Sequence, residues 1–239
     1  MGVIKLRNSF EKIVSLIKEH GAFNLFLYKS DAVISRLSNN NIRLIKYYFF
    51  VQPISDQCVI KNARKRKIKT YLPVSGDLIF EHCPRPKAVI EERFSQGSKC
   101  FVATKDGQFI GFIWFSEEKY IEDEVRCEIV PSPMGISAWD YDIYVNPDNR
   151  LGMAFPMLWD QVNQYLFERG YRWTMSRISP INSTSLSTHK KLGAVYCGQA
   201  FFMCIWNIQI MLASVSPFIH ISTTKRPKLH LTPPISKPK

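Results

Sequence analysis

From Asp140 to Ile178 the chain runs through an apolar strand, an amphipathic helix and a second apolar strand, and this order leaves few folds open. The first strand, Asp140 to Val145, stops at Asn146-Pro147. Phe155, Leu158, Trp159, Val162 and Leu166 then recur at helical spacing, which predicts one buried helix face that ends at Gly170. Tyr171 to Ile178 reads as the second strand. The turn between strand and helix is N-R-L-G-M-A, residues Asn149, Arg150, Leu151, Gly152, Met153 and Ala154. The first N–H groups of a helix lack internal partners and sit at the positive end of its dipole, so such a turn can hold a phosphate or pyrophosphate. Gly152 and Ala154 are small enough for the backbone to approach an anion, although packing alone also places Gly in first turns.

The neighbouring segments extend the pattern. Lys99 to Thr104 and Gln108 to Phe115 predict a hairpin around Lys105-Asp106-Gly107, since Asp-Gly favours a tight reversal. Pro84-Arg85-Pro86 starts a helix through Phe94, and Asp77 to Glu81 reads as a strand before it. Beyond Ile178, Asn182-Ser183-Thr184-Ser185 opens a helix that closes with His189-Lys190-Lys191-Leu192-Gly193.

Two segments, N-R-L-G-M-A and N-x6-H-K-K-L-G, resemble the GCN5-related N-acetyltransferase superfamily over roughly Gly76 to Trp206. The family pattern is Gln or Arg, two residues, Gly, one residue, then Gly or Ala. Here Gly152 and Ala154 fit, while Asn149 leads and Arg150 stands one place late. The resemblance implies an α/β fold with a mixed sheet, in which the turn amides hold the pyrophosphate of acetyl-coenzyme A. It implies that Ile143 and Val145 line the pantetheine arm mainly through their main chain, and that Asn182 contacts the coenzyme. A Tyr four residues before the closing Gly can protonate the leaving thiolate in the family; this chain has His189 there.

Acyl transfer from a thioester to an amine requires two reactants held together, a neutral amine and a proton for the sulphur. Glu124, Glu128, Asp140 and Asp142 are the candidate bases. Asp140 and Asp142 lie two apart on a predicted strand, so both are expected on one face, with Trp139, Tyr141 and Ile143 on the other. Two like charges there would raise one pKa, although solvent-facing strand residues give the same pattern. The acidic stretch Glu117, Glu118, Glu122, Asp123, Glu124 and Glu128 reads as a solvated hairpin or as an attractor for a cationic amine. His189, with an ordinary pKa near 6.5, is a workable proton donor or simply a packed helix residue. Covalent transfer through Cys127 or Cys197 lacks an adjacent base.

Charge divides the chain. Met1 to Ser75 holds 14 basic and 4 acidic residues and Ile221 to Lys239 holds 5 and none, so the net +12 belongs to the flanks. The expected organisation is a basic, mostly helical extension over 1–75, an acyltransferase-like domain over 76–220 and a basic, Pro-rich, disordered tail over 221–239. Within the extension, Phe10, Ile13, Val14 and Ile17 predict a helix from Asn8 to Gly21, a second helical stretch follows Asp31, and Ile42 to Val51 reads as a strand buried on both sides. Lys61 to Lys69, K-N-A-R-K-R-K-I-K, suits a solvated loop or a contact to nucleic acid or an anionic membrane surface.

The six cysteines show no metal-ligand spacing, so no metal is expected and a reducing, cytoplasmic location is. Lys5, Arg7, Glu11, Lys12, Lys18 and Glu19 interrupt any leader-like apolar core. Ala200 to Val215 is too short to span a bilayer and carries Asn207 and Gln209, which favours two closing strands. The expected activity is acetyl transfer to a small-molecule or protein amine. A non-catalytic coenzyme-binding module with basic docking flanks, and aminoacyl transfer from charged tRNA, are the competing readings.

Overall fold

The computed structural model describes residues 16–55, 68–150 and 152–234. In chain order its elements begin with helix α1 (Ala22–Leu37), strands β1 (Ile42–Pro53) and β2 (Ile68–Tyr71), and helix α2 (Lys87–Ser95). Strands β3 (Lys99–Lys105), β4 (Gln108–Ser116), β5 (Tyr120–Ile121), β6 (Glu128–Pro131) and β7 (Ser137–Val145) follow, then helix α3 (Ala154–Glu168) and β8 (Trp173–Ile178). Helix α4 (Ser183–Lys191) precedes β9 (Val195–Ile205), β10 (Ile208–Ala213), β11 (Ile219–Ser222) and β12 (Lys228–Leu231). The class is mixed α/β. Two compact units interleave along the chain: unit 1 takes Met1–Val51, Ile121–Ile129 and Arg177–Lys239, and unit 2 takes Gln52–Tyr120 and Val130–Ser176.

Unit 2 carries strands in the order β8-β7-β4-β3-β2. The β3–β4 hairpin turns on Asp106 and Gly107, whose φ of 51° and 83° match the paired left-handed residues of a tight reversal. Strands β2, β3, β4 and β7 pair antiparallel, whereas β7 and β8 pair parallel, which makes the sheet mixed. Helix α3 supplies the parallel crossover and buries Leu158, Val162 and Leu166 completely. On the other face Phe80, Phe94 and Trp114 form an aromatic cluster, with Phe94 and Trp114 centroids 5.0 Å apart. Gly111 permits a close approach of β4 to β7: a Cβ there would lie 2.6 Å from the Tyr144 carbonyl oxygen.

Unit 1 carries the order β11-β10-β9-β1, all antiparallel. Its inner face buries Ile45, Tyr47, Phe202 and Met211. Gln209 ties β10 to the Ile121–Ile129 segment, accepting from the Arg126 N–H and donating to the Arg126 carbonyl, both at 2.8 Å.

Several expectations are corrected here. Asp77 to Glu81 is not a strand, because the Asp77 carboxylate accepts the Ile79 N–H at 2.9 Å and starts a 3-10 turn over Leu78–His82. Strand β1 alternates in burial from Ile45 to Val51 instead of being covered on both sides. The helical stretch after Asp31 is the second half of α1, and its Val33 and Leu37 are exposed. Within the expected tail, Lys228–Leu231 is β12, with Leu229 and Leu231 fully buried. Residues 8–15 of the first predicted helix lie outside the described residues, while 16–20 are helical. Of Lys61–Lys69 only Ile68 and Lys69 are described, in β2.

Candidate functional site

The crossover in unit 2 sets the geometry. Beyond Val145 the chain makes a 3-10 turn over Pro147–Asn149, in which the Asn149 N–H donates to the Asn146 carbonyl at 2.8 Å. A second turn follows, the Gly152 N–H donating to Asn149 at 3.1 Å. The first helical bond of α3 runs from the Met157 N–H to Met153. No side chain caps this helix and its first turn holds no acidic residue. The N–H groups of Met153, Ala154 and Phe155 therefore start the helix without intrahelical partners, and Pro156 has no N–H to offer.

Gly152 is exposed, so the turn opens to solvent. A Cβ at Gly152 would stand 3.2 Å from the Asn149 carbonyl oxygen, so the turn itself also favours glycine. Ala154 is fully buried. Arg150 folds back, its Nε donating to the Val145 carbonyl at 3.2 Å. Leu151 lies outside the described residues.

The strand leading into the turn has one free side. Strand β7 pairs with β4 along Trp139 to Val145, but its parallel register with β8 covers Ser137 to Trp139 against Trp173 to Met175. Past Trp139 the β8-facing edge of β7, including Ile143 and Val145, has no registered strand partner among the described residues.

The two aspartates of β7 do not share a face, which corrects the period-two expectation. Asp142 is the extra residue of a β-bulge: Ile113 pairs with Ile143 and Trp114 with Tyr141, and Asp142 adopts φ 44°. Its side chain meets Arg85 Nε at 2.8 Å and Arg93 at 2.5 Å, and the Arg93 guanidinium stacks 5.3 Å from the Trp114 ring. Asp142 thus turns toward α2, with both carboxylate oxygens occupied by guanidinium donors. Asp140 points to the opposite face, is buried, and takes a hydrogen bond from Gln52 Nε2 at 3.4 Å; the same nitrogen donates to Thr174 Oγ1 at 2.8 Å.

The remaining candidates lie in unit 1. Glu124 accepts the Tyr47 hydroxyl at 2.6 Å and stands 3.5 Å from Arg43 and 3.6 Å from Arg177. Glu128 pairs with Lys228. Asn182 is the N-cap of α4, its side-chain oxygen accepting the Ser185 N–H at 3.0 Å, which accounts structurally for an Asn at this position. His189 is buried, and its Nδ1 lies 2.9 Å from the Ser185 carbonyl. A carbonyl only accepts, so Nδ1 carries hydrogen and a neutral His189 presents Nε2 as an acceptor. Burial pushes the Cys197 thiol up to about 12 and also raises that of Cys127, which disfavours the thiolate that covalent transfer needs.

One group went unselected by sequence reasoning. Glu122 is buried, and desolvation pushes its carboxyl up to about 7 against the pull of Arg177, whose guanidinium it binds at 2.5 and 2.6 Å. Its only sequence signal is membership of an acidic stretch that resembles a solvated hairpin. Glu122, Glu124 and Arg177 belong to one network, with Arg177 stacked 4.3 Å from the Tyr47 ring centroid, beside a cavity of about 150 Å³.

No protein-family model and no curated protein matches the chain. Solved structures of GNAT acetyltransferases resemble it. An aminoglycoside N-acetyltransferase in complex with CoA is 24% identical over 52% of this chain and 90% of its own, with a TM-score of 0.41. A GNAT-family protein from Novosphingobium aromaticivorans is 15% identical over 68% of this chain and 65% of its own, with a TM-score of 0.44. A conserved protein of unknown function from Staphylococcus epidermidis is 11% identical over 72% of this chain and 66% of its own, with a TM-score of 0.47. The chain thus spans just under two thirds of the length of the latter two.

Proposed function

We propose that this chain is a coenzyme-A-dependent N-acyltransferase that passes an acetyl or other acyl group directly to an amine in a ternary complex. One observation carries the reading: among the described residues β7 has no parallel partner beyond Trp139, and the same strand then runs into an uncapped helix start beside exposed Gly152. An unpaired strand edge suits an extended arm bearing amide groups, and the orphan N–H groups one turn further suit a diphosphate.

The donor set fits that group. Half-buried Met153 and Phe155 offer backbone donors while Ala154 is fully buried, no carboxylate stands in the first turn of α3, and exposed Arg150 precedes them in the turn. Ile143 and Val145 contribute their backbone along the arm. Bound coenzyme would supply the acyl group as a thioester. The protein's largest contribution is then orientation, on the order of 7 to 11 kcal/mol for well-aligned reactants.

Within unit 2 we assign proton acceptance from the amine to Asp140. Asp142 is unsuited to the task because Arg85 and Arg93 occupy both of its oxygens. The bulge at Asp142 interrupts the regular β4–β7 ladder. The test is release of free thiol from acetyl-coenzyme A across a panel of amines. Turnover with at least one amine supports the reading, and coenzyme binding without turnover would assign the chain to a non-catalytic module.

A further inference from the structure

We infer that Gln52 is the positioning residue for Asp140, holding its carboxylate ready to take a proton from the acceptor amine; the inference rests on the assignment of Asp140 as proton acceptor. Gln52 is the first residue of unit 2, near the end of β1, and Ile54 beyond it donates its N–H to the Arg172 carbonyl at 2.9 Å. Thr174 of β8 follows Arg172 by two residues. Ala138 of β7 pairs with Thr174, and Asp140 is two residues on from Ala138, so Thr174 and Asp140 share one face of the sheet. One residue from each of three neighbouring strands, β1, β8 and β7, thus meets on that face.

They meet where backbone support ends. Strands β7 and β8 are in parallel register only through Trp139 and Met175, so Asp140 is the first residue of β7 past the registered pairs. The Gln52 amide bridges the two strands instead. Its Nε2 donates to Thr174 Oγ1 at 2.8 Å and to Asp140 Oδ2 at 3.4 Å. These acceptors use both Nε2 hydrogens and settle the orientation of the amide, since the reversed amide would set Oε1 against a carboxylate. Thr174 is the short, anchoring contact, and Asp140 rests on the other hydrogen.

Stability does not explain an amide at this position. Gln52, Thr174 and Asp140 are 2%, 0% and 1% exposed, and Gln52 Oε1 is buried with no hydrogen-bond partner among the described residues. A buried acceptor left unpaired costs stability, so an apolar side chain of similar length would fill the space at least as well. What the amide adds is a neutral donor on Asp140. Such a donor orients the carboxylate without bringing a cation to it, whereas Arg85 and Arg93 place two full positive charges on Asp142.

Steady-state kinetics of the full chain with acetyl-coenzyme A and the best amine of the panel tests this in wild type, Gln52→Met, Asp140→Asn and the double variant. Gln52→Met should lower kcat about 10-fold, with KM for acetyl-coenzyme A unchanged and a thermal midpoint no lower than wild type. In the Asp140→Asn background the same change should cost nothing more, because a residue that acts through Asp140 has no effect once that carboxylate is gone. If Gln52→Met does not fold, Thr174→Val, which removes the anchoring hydroxyl, takes its place with the same kinetic expectations. An unchanged kcat, a loss repeated in the Asp140→Asn background, or a loss that tracks a lowered midpoint in Gln52→Met would overturn the inference and leave the proton acceptor in place. Wild-type kcat in Asp140→Asn would instead overturn the proton-acceptor assignment, and this inference with it.

Discussion

Asp142 and Arg93 meet at 2.5 Å across the bulge of β7, where Asp142 occupies left-handed backbone at φ 44° and Arg93 reaches it from α2. A non-glycine residue held in that region is a cost that surrounding contacts must offset. The contacts here are the two guanidiniums of Arg85 and Arg93, so the bulge depends on a charge cluster contributed by residues 49 and 57 positions away.

Breaking that cluster is expected to be expensive. Asp142→Ala leaves Arg93 buried without its carboxylate, and removal of one partner from a buried pair typically costs about 3 to 5 kcal/mol. Urea unfolding of the variant should show a loss in this range; a change below about 1 kcal/mol would mean that other contacts hold the bulge.

Gly111→Ala is expected to destabilise by about 1 to 3 kcal/mol, because its Cβ would collide with the Tyr144 carbonyl at 2.6 Å and neither backbone can retreat without breaking the β4–β7 ladder. Gly152→Ala meets only Asn149 at 3.2 Å, a contact that a small shift of the turn relieves, and should cost clearly less than Gly111→Ala. Similar losses in both variants would contradict this account of the crossover.

Stability should also depend on Glu122. Its folded pKa, pushed up to about 7 by burial, lies above an ordinary carboxyl value near 4.3, so the folded state binds the proton more tightly. The contribution is fully present below about pH 4 and is lost as pH rises through about 7. Glu122→Gln removes this dependence. Unfolding free energies measured from pH 4.5 to 7.5 should therefore fall more steeply for wild type than for the variant, and parallel curves would show that Glu122 ionises normally.

The proton-acceptor assignment separates the two aspartates kinetically. Asp140→Asn is expected to lower kcat by about 100-fold or more with little change in KM for acetyl-coenzyme A, as loss of a general base does. An Asp140→Asn enzyme with wild-type kcat would move that role to another group.

What the sequence made legible follows the range of the forces involved. The strand before Asn146-Pro147, the helix from Ala154 and the Asp106-Gly107 hairpin were readable because periodicity and turn chemistry act over a few residues. The α4 cap at Asn182 was readable for the same reason. The bulge was not, since nothing within β7 announces that Arg85 and Arg93 will claim Asp142 and send it to the face opposite Asp140. Burial of Leu229 and Leu231 was equally hidden, because prolines and cations flank them and only tertiary pairing makes β12. Glu122 reads as one more surface acid until Arg177, 55 residues later, draws it inside.

The account turns on the backbone of the β7–α3 turn gripping a coenzyme, and thermal unfolding of wild type and Gly152→Glu with acetyl-coenzyme A tests this most directly. At about 100 times the dissociation constant, ligand should stabilise wild type by about 2.7 kcal/mol, and the variant should show no shift because its carboxylate repels the diphosphate. An undiminished shift in the variant, or none in wild type, would contradict the account.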